Sequence, residues 1–240
     1  METIKLLKVG KGISGLTITP DMYLDYGGYA NVYKINEERC AKVYRVKFPV
    51  KAKKDTKNVL KVIRNLNIDG MYSIYEFLHD RKNLEFKGYL MSNEEEGALL
   101  KYMDEDLARK ILDMSPDRTI NNMVKMEIIK NRLSKNGVFI SDDFGSSIIV
   151  RNGTFVIFDA DSYLHRPDRM LEVKKDNEEI VSTFETALPI KAAIKLNMSP
   201  EEIERIRKNS KEIFLNNEMT LGEKISRIGK EKTLGKLLLK

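Results

Sequence analysis

Cysteine and histidine are nearly missing from this chain, which has one Cys, Cys40, and two His, His79 and His165. A single thiol excludes an intrachain disulfide and argues against a cysteine-based metal site. Two imidazoles argue equally against a histidine-rich zinc or iron centre. No run of about 18 apolar residues occurs, so no transmembrane helix is expected. The opening METIKLLKVGKG has neither the apolar core nor the small-residue cleavage site of a secretory signal. A cytoplasmic protein without membrane contact is the expectation. Internal repeats and low-complexity segments are also missing.

What remains is an ordinary globular composition, with 42% hydrophobic and 32% charged residues in 240. That length suits one large domain or two lobes around a shared cleft. The net charge is +6, and the excess is uneven. Between Lys47 and Arg64 stand seven basic residues (Lys47, Lys51, Lys53, Lys54, Lys57, Lys61, Arg64) against one acid, Asp55. Such a segment reads first as a solvated, lysine-rich helix face, and otherwise as a docking patch for phosphates or an acidic protein partner. It lacks the aromatic interleaving and the recognition motif that would favour nucleic acid.

Along the chain the pattern changes once. Strands are expected in Leu6–Thr19, Asn31–Ile35, Arg39–Val46, Met71–Leu78 and Glu85–Met91, with one helix over Thr56–Leu66. After SNEEEGALL the reading is helical: one helix over Glu96–Leu112, and another opening at Ser115-Pro116-Asp117 and closing at Gly137 as a C-cap. Two short strands, Ser147–Arg151 and Thr154–Phe158, flank the hairpin turn Asn152-Gly153. Ser199-Pro200-Glu201-Glu202 then starts a further helix with a capping box. Strands first and helices second argue for an α+β fold of two lobes, divided near residue 92.

Four stretches carry possible chemistry. DYGGYANVY (Asp25–Tyr33) is a glycine turn between strands, able to approach a phosphate or simply to form a hairpin. In RCAKVYR, Lys42 shares a strand face with Cys40. If that face points inward, the ammonium needs an anionic partner. In NGVFISDDFGSSIIV, Asp142 and Asp143 open a loop after a short strand, as a general base or as turn formers. In VIFDADSY, Asp159 and Asp161 follow an apolar strand, where carboxylates can hold magnesium beside phosphates or cap a turn.

Taken in order, these stretches resemble the signature set of the protein-kinase-like superfamily, in a small, divergent bacterial or phage form, over about Leu6–Leu196. Asp142 and Asp159 lie 17 residues apart, which suits an intervening hairpin. The resemblance implies a two-lobed kinase-like fold, with a β-rich N-lobe over residues 1–92 and a minimal, mainly helical C-lobe over 93–240. It implies ATP and Mg2+ as cofactors and transfer of the γ-phosphoryl group to a hydroxyl, a Ser or Thr of a protein. Gly27, Gly28, Tyr29, Ala30 and Val32 would cover the phosphates, and Lys42 would hold them. Cys40, Met91, Ser92, Asn93, Glu94 and Ile149 would surround the adenine, with Ser92–Glu94 offering backbone groups. Asp142 would be the base. Asp159, with Asp161 and Ser147, would hold the metal.

The chain also departs from that pattern. Ser147 stands where the family has a metal-binding asparagine, and Ala160 and Asp161 replace the Phe and Gly of D-F-G. No glutamate lies between Lys47 and Tyr75 to pair with Lys42, leaving Asp55, Glu76 or Asp159 as substitutes. No A-P-E segment follows, so regulation by a long phosphorylated loop is not expected. A pseudokinase scaffold and a small-molecule kinase of aminoglycoside or choline type are the alternatives. A basic nucleic-acid-binding protein rests on charge alone.

Overall fold

A computed structural model describes residues 5–9, 15–26, 29–45, 50–93, 97–141, 144–216 and 218–240. The chain is an α+β protein that divides into two compact units. One comprises Met1–Asn67 and Tyr72–Glu95, the other Ile68–Met71 and Glu96–Lys240.

The first unit is built from β1 (Lys5–Val9), β2 (Gly15–Ile18), β3 (Tyr23–Tyr26), β4 (Ala30–Lys34), β5 (Arg39–Tyr44), helix α1 (Val50–Leu66), β6 (Ile74–Asp80) and β7 (Phe86–Ser92). The strands form one seven-stranded sheet in the order β2-β1-β6-β7-β5-β4-β3, and every pairing is antiparallel. The two edge strands, β2 and β3, are consecutive in sequence and joined only through Thr19 and a 3-10 turn, Pro20–Met22. Five Cα steps reach at most about 18 Å, whereas the edges of a flat seven-stranded sheet would stand about 29 Å apart. The sheet must therefore curl. Its inner face holds a core of Leu7, Ile18, Tyr33, Ala41, Val43, Leu78 and Leu90.

Helix α1 starts at Val50, earlier than the expected Thr56. Lysine and alanine are good helix formers, and nothing between Lys51 and Thr56 stops propagation. Val59, Leu60 and Ile63 are its buried face, at the one- and four-residue spacing of a helical stripe.

The second unit contains β8 (Ala98–Leu99), α2 (Glu105–Leu112), α3 (Pro116–Lys135), β9 (Val138–Phe139), β10 (Ile148–Arg151), β11 (Thr154–Ile157), β12 (Leu164–His165), α4 (Met170–Lys195), α5 (Pro200–Ser210), α6 (Leu221–Ile228) and α7 (Leu234–Leu239). Strands β11-β10-β8 form a small sheet, and β12 pairs with β9. The expected single helix over Glu96–Leu112 is replaced by a strand, a 3-10 turn at Leu100–Tyr102, and α2. Two causes act together. Ala98 and Leu99 pair with Val150 and Ile149, and Asp104 caps α2 by accepting from the Leu107 N–H at 2.8 Å, which sets the start there. The expected strand from Met71 begins at Ile74; Met71 instead bridges Ile157 in parallel. The Pro116 start of α3 and the Ser199 capping box of α5 are present. Gly137 follows α3 with φ +65°, where a left-handed cap favours glycine. No helix among the described residues is long and apolar enough to cross a membrane.

Candidate functional site

In the first unit, Lys42 lies on β5, the strand flanked by β4 and β7. Its register partners are Val32 and Tyr89, and directly opposed residues in antiparallel pairs share a face. Tyr33, Ala41 and Leu90 are partners in the intervening positions and belong to the enclosed core. Lys42 therefore points away from that core, on the face of Val32, Cys40, Tyr89 and Met91. It is nonetheless buried, at 8% exposure. A buried ammonium requires anionic company. Glu76, one of the acids considered for that role, is engaged by Arg64 through two N–H···O contacts of 3.1 and 3.4 Å, and Asp55 is exposed on α1.

Gly88 sets how closely β7 approaches Lys42. A Cβ at Gly88 would lie far inside van der Waals contact of the Lys42 carbonyl oxygen, so only glycine fits the backbone there. Sequence patterning gave no sign of this, because glycine inside an apolar strand looks like a defect until its neighbour is known.

The residues expected around an adenine are placed as follows. The Cys40 thiol is buried and donates to Asn93 Oδ1 at 3.3 Å. Met91 is buried opposite Cys40. The Ser92 N–H donates to the Ser73 carbonyl and the Asn93 N–H to the Glu38 carbonyl, each at 2.9 Å. Those two N–H groups are thus already committed within the unit. Tyr29 is 63% exposed at its turn and Ala30 is buried at the start of β4. Gly27, Gly28 and Glu94 lie outside the described residues.

In the second unit, Ser147 is buried at the end of the 3-10 turn Phe144–Ser147, just before β10 and not in the strand as expected, and Asp159 follows β11. The Phe158 N–H donates to the Ser147 carbonyl at 2.9 Å, setting Ser147 beside the segment that enters Asp159. The Asp159 Oδ1 accepts from the Asp161 N–H at 3.1 Å, an Asx-type turn. The Ser141 and Ser162 hydroxyls are 2.7 Å apart. Two hydrogen bonds thus tie Ser141 to Ser162 and Ser147 to Phe158. Asp142 and Asp143 lie outside the described residues. Ile149 is buried in the small sheet against Gly97.

Two buried asparagines that sequence reading missed hold these segments. Asn177 on α4 accepts from the Ile140 N–H at 2.7 Å and donates to the Val138 carbonyl and the Ser134 hydroxyl, each at 2.9 Å. It anchors the chain immediately before Ser141. Asn122 on α3 accepts from the Phe155 N–H at 3.0 Å and donates to the Gly153 carbonyl at 2.9 Å, which pins the β10–β11 hairpin. The readable signal was an amide on an otherwise apolar helix face. The Tyr163 hydroxyl was missed as well. It is buried with no hydrogen-bond partner among the described residues, and burial, then the nearby Asp159 carboxylate, raises its pKa.

The basic segment is not a uniformly solvated face. Lys57 Nζ sits 2.9 Å from His79 Nε2 and 5.5 Å from the Phe86 ring centroid, and burial, then Lys61, lowers its pKa. Arg64 lies over Phe77 while holding Glu76. Lys54 and Lys61 are exposed. Lys47 and the side chains of Lys51 and Lys53 fall outside the described residues.

Neither a protein-family model nor a curated protein matches the sequence. The oxygen-only set of Asp159, Asp161 and Ser147 fits a hard cation such as Mg2+ and not a soft metal. Among the described residues no group of three or more His, Cys, Asp or Glu side chains is assembled to hold a metal.

Proposed function

We propose that the chain is a phosphotransferase of protein-kinase type, moving the γ-phosphoryl group of ATP to a Ser or Thr hydroxyl of a protein. The observation that carries this reading is the pair of bonds Phe158 N–H to Ser147 O and Ser141 to Ser162. They join residues on either side of positions 142 and 143 to the segment that holds Asp159. Support from the first unit is Lys42, buried on the sheet face turned away from the hydrophobic core.

In this reading Lys42 holds the α- and β-phosphates, and the turn around Tyr29 covers them. Asp159, with Asp161 and Ser147, would hold magnesium, which when bound neutralises charge on the β- and γ-phosphates. Asp142 orients the acceptor hydroxyl and takes its proton as the oxygen attacks the γ-phosphorus. The bond to the β-phosphate oxygen breaks and ADP leaves. Little covalent work falls to the protein, whose contribution is position and charge.

One observation favours a second reading, a nucleotide-binding scaffold without turnover. Helix α1 contains no glutamate, and Glu76 is held by Arg64. Incubation with ATP and magnesium, following phosphate transfer to the chain itself and to a generic protein acceptor, separates the two. Transfer that disappears in both Asp142→Asn and Asp159→Asn supports the kinase. Transfer unaffected by Asp159→Asn contradicts it. Stabilisation by ATP and magnesium without transfer selects the scaffold.

A further inference from the structure

A cleft of about 950 Å³ lies wholly within the second unit. One wall is α4, which contributes residues at three- and four-residue steps from Asp176 to Lys195; the 3-10 segment Phe144–Ser146 forms part of the other. At 1.5 Å per residue this stripe is about 28 Å long. Its middle is apolar, with Phe144 edge-on to Phe184 at 5.3 Å and Leu188 one turn further along α4. The ends differ in sign: Asp176 and Glu179 line one, Lys191 and Lys195 the other. Among the described residues none of these four charges is ion-paired. Ile194, between the two lysines, is 53% exposed.

The signs alone follow the dipole of α4, which favours acids near its start and bases near its end. The dipole does not account for an apolar channel between them, or for an isoleucine left in water beside it. A long channel with an apolar floor and opposite charges at its ends matches the helix-in-groove mode of recognition. A helix carrying its own acids at the N-terminus and bases at the C-terminus, as its dipole prefers, meets both ends correctly only when it runs antiparallel to α4. A compact polycation fits poorly, because the cleft offers three lysines, Lys101, Lys191 and Lys195, against two acids.

We propose that this cleft docks an amphipathic helix of a partner protein, antiparallel to α4, with its basic C-terminal end on Asp176 and Glu179 and its acidic N-terminal end on Lys191 and Lys195. The proposal does not depend on phosphoryl transfer.

The probe is a synthetic amphipathic peptide of about five helical turns, with glutamates in its first turn, leucines along one face and lysines in its last turn. The control is the same peptide with the charged ends exchanged. Fluorescence anisotropy on the full chain reads both. The matched peptide is expected to bind about tenfold tighter than the exchanged one at low salt. The double variant Asp176→Lys, Glu179→Lys is expected to lose that preference. The further exchange Lys191→Glu, Lys195→Glu in the same chain is expected to reverse it. Glu179, Lys191 and Lys195 are exposed and Asp176 is half-buried, and none is ion-paired among the described residues, so folding should persist, and circular dichroism checks it. Equal binding of both peptides, no binding of either, or a preference unchanged by the charge exchanges overturns the proposal. So does a dimer of the native chain that the Asp176→Lys, Glu179→Lys variant dissociates, since the occupant is then a second copy.

Discussion

Lys42 and Asp159 are held in place by different means. Lys42 rides on a strand paired along both flanks, with five register partners on each side and a closed apolar core behind it. Asp159 lies past the end of a short strand, and single side chains locate its surroundings: Asn122 for the hairpin, Asn177 for the segment entering Ser141. A ladder distributes its load over many main-chain bonds, so most side-chain changes leave it intact. A buried amide concentrates the load, and its loss strands several polar groups together. The Lys42 strand should be fragile only where backbones touch, the Asp159 turn wherever one amide is removed.

The largest effect is expected from Asn177→Ala. It leaves the Ile140 N–H, the Val138 carbonyl and the Ser134 hydroxyl without this partner, a loss of about 4 kcal/mol in denaturant unfolding. Faster amide exchange should appear over residues 138–147 and not in β5. The converse break is Gly88→Ala, whose Cβ must push β7 off the Lys42 carbonyl. A loss of about 3 kcal/mol is expected, with faster exchange in β5 and β7 and none in the hairpin. If Gly88→Ala is tolerated, the close approach of the two strands does not constrain Lys42. Asn122→Ala strands the Phe155 N–H and the Gly153 carbonyl, for about 2 kcal/mol, and should loosen β10–β11 alone.

A titration within the second unit is a smaller effect. Burial first, and then the Glu127 charge, push the Glu185 carboxyl up to about 8, with Lys224 and Lys130 acting in the opposite direction. The folded state then keeps a proton that the unfolded chain releases above its ordinary value of 4.5. Stability should therefore be fully present below about pH 4.5 and fall as pH rises to about 8. Urea unfolding from pH 5 to 9 should show this decline in the native chain and a flatter profile in Glu185→Gln. Equal slopes would remove Glu185 from the account. The smallest effect belongs to Tyr163→Phe. Deleting a buried hydroxyl that has no partner among the described residues should change stability by less than about 1 kcal/mol, in the stabilising direction.

Much of this arrangement was legible in the residues. Asn152-Gly153 gave the hairpin, Ser115-Pro116 and Ser199 gave helix starts, and VIFDADSY gave carboxylates at a strand end. What was not legible depended on partners distant in sequence. Leu99 and Leu100 continue a helical apolar pattern, but pairing with Ile149 draws Leu99 into a strand. Alternation could not say which face of β5 turns inward, because Cys40, Ala41, Lys42 and Val43 are all buried. Asn122 and Asn177 stand as polar positions within helices that otherwise bury apolar side chains. Their roles appear only when the main-chain groups opposite them are known. The Ser92 and Asn93 N–H groups looked open because the residues that bind them, Ser73 and Glu38, lie far off in sequence.

The kinase reading proposed above requires both Lys42 and Asp159 for binding of ATP with magnesium. The most direct test is the melting temperature of the native chain, Lys42→Met and Asp159→Asn, each with ATP and magnesium, with ATP and a chelator, and without ligand. At a hundredfold excess over Kd a nucleotide stabilises its binder by about 2.7 kcal/mol, a shift of several degrees. The account predicts that shift in the native chain with magnesium and its loss in both variants. An equal shift in all three proteins, or none in the native chain, would contradict it.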